Sequence, residues 1–247
     1  MKLCNWAGLV FLLMVSLPGY AFDSVDEQID HYLEVLAADN HKATLYMLTR
    51  LKWTAITDPR LYDEIAKSPL NHYQNKKLDK ITISDAAHKI RALGYSGNPK
   101  YRDTLSTIMN DSPNKKLRGH AQKALVDLDR FERWNRQINE ADAAVQGKNV
   151  EITIYSKMLN VQDTLVQRFA ARAIVDASVQ DSDLLDAVAE KLRAMYTDPA
   201  LDKREQDTAA WFVKALGQSG GYRQLLTEVN QGTPHKKLKK HSIRFIQ

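Results

Sequence analysis

Residues 92–120 read ALGYSGNPKYRDTLSTIMNDSPNKKLRGH, and residues 215–241 read ALGQSGGYRQLLTEVNQGTPHKKLKKH. Both run Ala-Leu-Gly-x-Ser-Gly, then Tyr-Arg, then Leu, then Ser/Thr-Pro-x-Lys-Lys-Leu-basic-x-His. Leu93 matches Leu216, Tyr101 matches Tyr222, Pro113 matches Pro234 and His120 matches His241. The copies lie 123 positions apart at Leu93 and Leu216, and the second is two residues shorter in one loop. Three periods of about 41 residues fit that separation, a length typical of stacked helix pairs.

Four apolar stripes can be laid over one another across this distance. Ala86, Ile90 and Leu93 correspond to Ala121, Leu125 and Leu128, then to Ala170, Ile174 and Ala177, then to Ala209, Val213 and Leu216. The spacing i, i+4, i+7 is one face of an α-helix. A small Ala at the first position lets neighbouring helices approach closely, and the larger residues fill the layer between repeats. Gly94, Gly97 and Gly217 follow stripe ends, where a helix C-cap wants a positive φ, and Gly220 and Gly221 extend the second turn. Asp58-Pro59, Asn98-Pro99, Ser112-Pro113, Asp198-Pro199 and Thr233-Pro234 each place a capping residue before a Pro suited to the first helical turn.

No segment shows sustained strand-type alternation, so the chain is expected to be all-α. The pattern predicts helices over 24–37, 41–53, 59–68, 78–93, 99–110, 115–130 and 132–146. Others are expected over 149–159, 163–177, 182–196, 202–217, 221–230 and 235–246. Residues 131–148 are expected to form an irregular helical insert or arm, and 68–75 a second irregular stretch. Ser242 and Phe245 stand where Ala121 and Ala124 stand earlier, so the last repeat is expected to act as an atypical cap.

On these stripes, periods and prolines the chain resembles the HEAT-repeat family, over roughly residues 40–247. Pro99 holds the family's early proline. Arg118, Arg168 and Lys239 hold the basic position six residues after the turn. Ser112, Gln162 and Thr233 stand where the family's turn acid is usual. The resemblance implies a right-handed α-solenoid of about five helix pairs, over a single domain 22–247, that binds partners on a concave surface. It names no partner.

Residues 1–21, MKLCNWAGLVFLLMVSLPGYA, read as a cleaved secretory signal peptide. Lys2 gives the positive start, Trp6 to Leu17 is a twelve-residue apolar run, and Gly19 and Ala21 are small residues before the cut. A membrane span needs about 20 apolar residues, so this run is short for an anchor. The chain's one Cys, Cys4, lies inside the leader. The remainder can therefore form no disulfide framework, Cys-based zinc cage or Cys–His nucleophile. The net charge of +5 falls to +4 without Lys2, and residues 235–247 alone carry five Lys/Arg and no acid. The body is thus close to neutral. Periplasmic export makes nucleic acid an unsuitable ligand despite a pI near 9.1.

Catalytic signatures are missing: no G-x-G-x-x-G, P-loop, H-E-x-x-H or G-x-S-x-G occurs. His235 and His241 sit six apart on one helix and do not share a face. Asp127 and Asp129 flank Leu128 and point apart, while Asp181 and Asp183 sit at a helix start, where capping is the ordinary use. No cofactor or metal is expected.

Two sets of residues remain as candidates. Two positions before each stripe centre stand His88, Lys123, Arg172 and Trp211, with Arg244 at the equivalent place in the last helix. Stacking turns these into a mostly basic ladder with one aromatic anchor, suited to an acidic, extended partner. Lys236, Lys237, Lys239 and Lys240 form a basic C-terminal patch, suited either to the helix dipole or to an anionic surface. The expected role is an exported, non-catalytic binding or scaffold module. The alternatives are a lyase-like enzyme, with Asp103 or Asp163 as the first carboxylates to inspect, and a peripheral envelope protein held by its basic end.

Overall fold

The structure, a computed structural model, describes residues 22–38, 40–143 and 148–247. The expected leader, residues 1–21, lies outside these. Among the described residues there are twelve α-helices and no strand. They are α1 (Val25–Ala37), α2 (His41–Arg50), α3 (Pro59–His72), α4 (Lys80–Tyr95), α5 (Arg102–Asp111) and α6 (Lys115–Glu140). They continue as α7 (Val150–Asn160), α8 (Thr164–Asp176), α9 (Ser182–Arg193), α10 (Lys203–Ser219), α11 (Arg223–Gly232) and α12 (Lys236–Ile246). Single 3₁₀ turns, Leu51–Trp53 and Pro99–Tyr101, follow α2 and precede α5.

Short polar side chains start most of these helices. Asn40, Asp58, Asp79, Asn114, Asp163, Asp181 and Asp202 each accept a hydrogen bond from the first turn that follows. Each satisfies amides that the helix itself leaves unpaired. Ser112, Thr233 and Asp198 do not cap in this way, contrary to the Pro-based expectation. The Ser112 and Thr233 hydroxyls accept from the amides of Asn114 and His235, so each Pro sits in a turn and the helix starts later.

Consecutive helices pair: α1 with α2, α3 with α4, and so on to α11 with α12. First helices pack on first helices and second on second, which gives two layers and an all-α solenoid of six pairs. The order in space differs from the order in the chain. The third pair packs on the second and the second on the first, but the fourth pair meets the first as well as the end of α6. Val150 N–H donates to the Phe22 carbonyl at 2.9 Å. The turn Leu51–Trp53 packs on both α4 and α8. The stack therefore runs α5/α6, α3/α4, α1/α2, α7/α8, α9/α10, α11/α12.

The chain is two copies of one three-pair unit joined through their first pairs. Caps Asn40, Asp58 and Asp79 recur 123 residues later as Asp163, Asp181 and Asp202. The positive-φ residues obey the same offset: Ala55 with Ser178 (φ 52° and 51°) and Gly97 with Gly220 (φ 58° and 76°). Side-chain bonds repeat as well. Tyr101 Oη donates to Asp63 at 2.9 Å, and Tyr222 Oη donates to Asp186 at 2.7 Å. The repeated segment read from the sequence is the outer part of a duplication that spans the whole described chain.

Residues 131–140 are neither an insert nor an arm. They continue α6, and Phe131, Trp134, Asn135 and Ile138 are buried. The reason is the return path from the third pair to the fourth. Asn135 Nδ2 donates to the carbonyls of Tyr95 and Ser96 at the end of α4 (3.2 and 3.1 Å). Further along, Lys157 of α7 donates to the Asn139 carbonyl at 3.1 Å. Tyr95, Phe131, Trp134 and Phe169 form an aromatic chain with centroids 5.2–5.3 Å apart, which joins the cores of the two units. Residues 68–75 are also more regular than expected, since α3 runs on to His72 with Pro69 inside it.

Gly94 and Gly217 are not caps, because α4 and α10 run past them. They are close-approach points. A Cβ on Gly94 would meet the Ala124 carbonyl oxygen of α6 at 2.7 Å, and one on Gly217 would meet the Phe245 ring of α12 at 2.3 Å. Phe245 thus replaces Ala124 as the surface against the glycine, the atypical cap expected of the last repeat.

Candidate ligand-binding face

The second helices carry the five ladder residues. His88 is half-buried on α4 with Nδ1 2.7 Å from the Ser84 carbonyl. Lys123 on α6 and Arg244 on α12 are exposed. Arg172 on α8 and Trp211 on α10 touch, with the guanidinium 5.2 Å from the ring centroid. Lys214 Nζ lies over the same ring at 3.7 Å, a cation–π distance.

Because the first unit runs backwards in space, Lys123 and Arg172 are not adjacent rungs as the stripe order suggests. Between His88 and Arg172 stands Lys52, on the turn after α2, which the sequence reading did not include. Its ammonium is pushed below the usual lysine range, first by burial and then by Arg172, Arg50 and Arg91, with Asp176 opposing. The spatial order is Lys123, His88, Lys52, Arg172, Trp211, Arg244.

Four more residues belong to this face: Arg91 and His120 in the first unit, and their copies Lys214 and His241 in the second. Burial holds the His120 imidazole below its ordinary range, helped by Arg91, Lys123, His88 and Lys116. The His241 ring is lowered in the same way by burial, Lys214, Arg244, Lys237 and Lys240. Lys214 is lowered by burial, Arg244 and Arg172. A signal for the pair was present, since His120 and His241 close the duplicated Lys-Lys-Leu-basic-x-His motif. Arg91 and Lys214 sit three residues after His88 and Trp211, on the same helix face.

Asp127 pairs with Arg91 of this face. Among the described residues no carboxylate lies within 4 Å of Lys52, Lys123, Arg172, Lys214 or Arg244, while acids pair with Arg60, Lys67, Lys89, Lys100, Arg102 and Lys148. Arg91 Nη1, His120 Nδ1, Arg168 Nε, Arg172 Nε and His241 Nδ1 are buried without a hydrogen-bond partner. Each such polar atom costs about 1–3 kcal/mol when it stays unpaired.

The tail lysines do not act as one patch. Lys237 pairs with Asp207, which Arg168 also contacts. Lys237 and Lys240 lie near His241 on the ladder side. Lys236 and Lys239 are exposed. The carboxylates inspected for catalysis have structural places. Asp163 caps α8 and accepts from Trp134 Nε1 at 2.9 Å. Asp103 is exposed in the first turn of α5. Asp127 pairs with Arg91 and Arg130, and Asp129 with Arg102, so the two diverge as their spacing predicted. Asp181 caps α9 and shares Lys148 with Asp183. No group of three or more His, Cys, Asp and Glu among the described residues is placed to hold a metal ion. No helix among them is long and apolar enough to cross a membrane.

No family model matches the sequence, and no curated protein matches it. Among solved structures, human deoxyhypusine hydroxylase in complex with glycerol is similar at 12% identity, over 89% of this chain and 84% of that one. The TM-score is 0.34, and at that score the likeness carries no chemistry from one protein to the other.

Proposed function

We propose that this protein is an exported, non-catalytic binding module that takes an acidic, extended partner along the face shared by α4, α6, α8, α10 and α12. One observation carries the reading. Lys52, Lys123, Arg172, Lys214 and Arg244 gather on this face with no carboxylate of the described residues within 4 Å of any of them. Like charges crowded on a half-buried surface repel one another, and an anionic chain laid across them relieves that repulsion. Arg172 supplies a guanidinium whose Nε has no partner, suited to a carboxylate. Trp211 supplies an apolar surface at the centre of the second unit's cluster. Export rests on the charge-apolar-small order of residues 1–21 and on the lack of Cys after Cys4.

A fluorescently labelled oligoglutamate tests this by anisotropy. The wild-type chain is expected to bind it. Changing Lys123, Arg172 and Trp211 together to Ala is expected to weaken binding at least tenfold, about 1.4 kcal/mol, with helical circular dichroism unchanged. Because Trp211 is half-buried, a second variant, Lys123→Glu with Arg244→Glu, changes exposed residues alone. Unaltered binding in both variants overturns the proposal.

A further inference from the structure

In the first unit the face opens into a cavity of about 230 Å³ between the turn Leu51–Trp53, α4 and α6. Lys52, His88, Arg91 and His120 line it, together with Thr49 and Tyr95, and no carboxylate does. Four nitrogen-bearing side chains thus reach one small space from three separate elements. The Arg91 guanidinium is held from one side by Asp127, through Nη2, which leaves Nη1 buried and unpartnered. Asp127 is in turn held by Arg130 at 3.3 Å, so the carboxylate orients Arg91 from outside the cavity. The Ser84 carbonyl takes the His88 Nδ1 hydrogen, so Nε2 donates to an anion only when the ring takes up a second proton. His120 Nδ1 is buried and also without a partner.

The second unit shows that this arrangement is not forced by the repeat. There Trp211 stands at the position of His88, with Lys214 and Arg172 packed over its ring. At the position of Lys52 stands Val175. One copy of the place is packed with an indole and the other is left open and lined by cations.

We propose that this cavity is a binding site for a phosphate-type oxyanion. The volume is below the roughly 300–1,000 Å³ of sites that take a whole drug-sized molecule, so it suits a single group. A planar carboxylate presents two oxygens to one side. A phosphoryl group presents three oxygens in a tetrahedral spread, which matches donors arriving from a turn and two helices. Its negative charge is met by Lys52 and by Arg91, whose own charge Asp127 offsets in part. Burial and neighbouring cations depress the Lys52 and His120 nitrogens, with Asp176 opposing at Lys52. The inference deepens the acidic-partner reading and rests on it: the cavity is where a phosphoryl group of such a partner, or of a lipid headgroup, is seated.

The test is a titration with inorganic phosphate, followed by ³¹P line broadening and by calorimetry. The full chain is expected to bind one equivalent saturably. Lys52→Gln with His120→Gln is expected to weaken binding at least tenfold without loss of helical circular dichroism, while Lys236→Gln with Lys239→Gln leaves it unchanged. Glycerol phosphate and phosphatidylglycerol vesicles distinguish the sources. Binding of phosphate and glycerol phosphate without vesicle pelleting supports a free phosphoryl ligand, and pelleting lost in the Lys52/His120 variant supports a headgroup. Equal binding of succinate, non-saturable phosphate binding, or an unchanged Lys52/His120 variant overturns the assignment. Should Lys52→Gln with His120→Gln disturb folding, Thr49→Glu, which places a carboxylate at the cavity wall, is expected to abolish phosphate binding. Its failure to do so also overturns the proposal. Oligoglutamate binding without phosphate binding sinks the cavity alone, whereas the reverse sinks the strip.

Discussion

Glycines 94 and 217 show how one repeated residue type serves close packing in two ways. Against Gly94 lies backbone of α6, which cannot move aside; against Gly217 lies the Phe245 ring near the chain end. Gly94→Ala is therefore expected to lower stability by about 1–3 kcal/mol in spite of alanine's better helix propensity. Gly217→Ala is expected to cost less, because the last turn of α12 can shift. Thermal denaturation of the two variants side by side checks this order. Glu151 provides a pH-dependent counterpart. Burial raises its carboxyl above the ordinary glutamate range and Arg50 only partly opposes the rise. The folded chain then holds a proton that the unfolded chain releases, so stability falls as pH climbs from about 4.3 through the folded value. Glu151→Gln is expected to raise the melting temperature at pH 7, with the gain vanishing near pH 4. Both residues sit in patterns visible in the sequence, but neither role was legible there. Gly94 followed an apolar stripe as a cap would, and nothing in Glu151-Ile-Thr-Ile-Tyr155 announces the buried group formed with Arg50.

At the scale of elements, helix positions were legible to within a few residues because apolar period and Asx caps agree on them. The exceptions have a common cause. Helix α6 was expected over 115–130, either ending there or running on as an arm. It runs on because Phe131, Trp134 and Ile138 meet a different set of neighbours, the ends of α4 and the start of α8, as the chain turns back through the stack. A periodic pattern reports one packing face, and a helix that changes partners midway changes face. The expected consequence is measurable. Trp134→Ala should lower stability by about 3–5 kcal/mol, the cost of emptying a buried aromatic site, as read from the urea midpoint. Trp134→Phe should cost about 1 kcal/mol, since it keeps an aromatic ring beside Phe169 and loses the bond to Asp163. An arm in solvent would show neither loss.

For the molecule as a whole, the duplication explains both what the sequence revealed and what it concealed. The outer pairs of each unit kept their resemblance, so 92–120 and 215–241 could be matched by eye. The inner pairs meet each other rather than a further repeat, and they diverged to do so: Val175 stands at the position of Lys52, and Arg172 at that of Thr49. Chain order therefore placed Lys123 beside Arg172, where the molecule places Lys52. The candidate residues His88, Lys123, Arg172, Trp211 and Arg244 do share the second-helix layer, but the cluster is larger than the ladder and is ordered differently. Binding along it is expected to weaken steeply as salt rises past 0.1 M, where the Debye length falls to about 10 Å. The most direct test is a lysine-acetylation footprint, read by mass spectrometry with and without oligoglutamate. The account predicts protection of Lys52, Lys123 and Lys214, with Lys67 and Lys100 reacting alike in both samples. Uniform reactivity, or protection confined to Lys236 and Lys239, would contradict it.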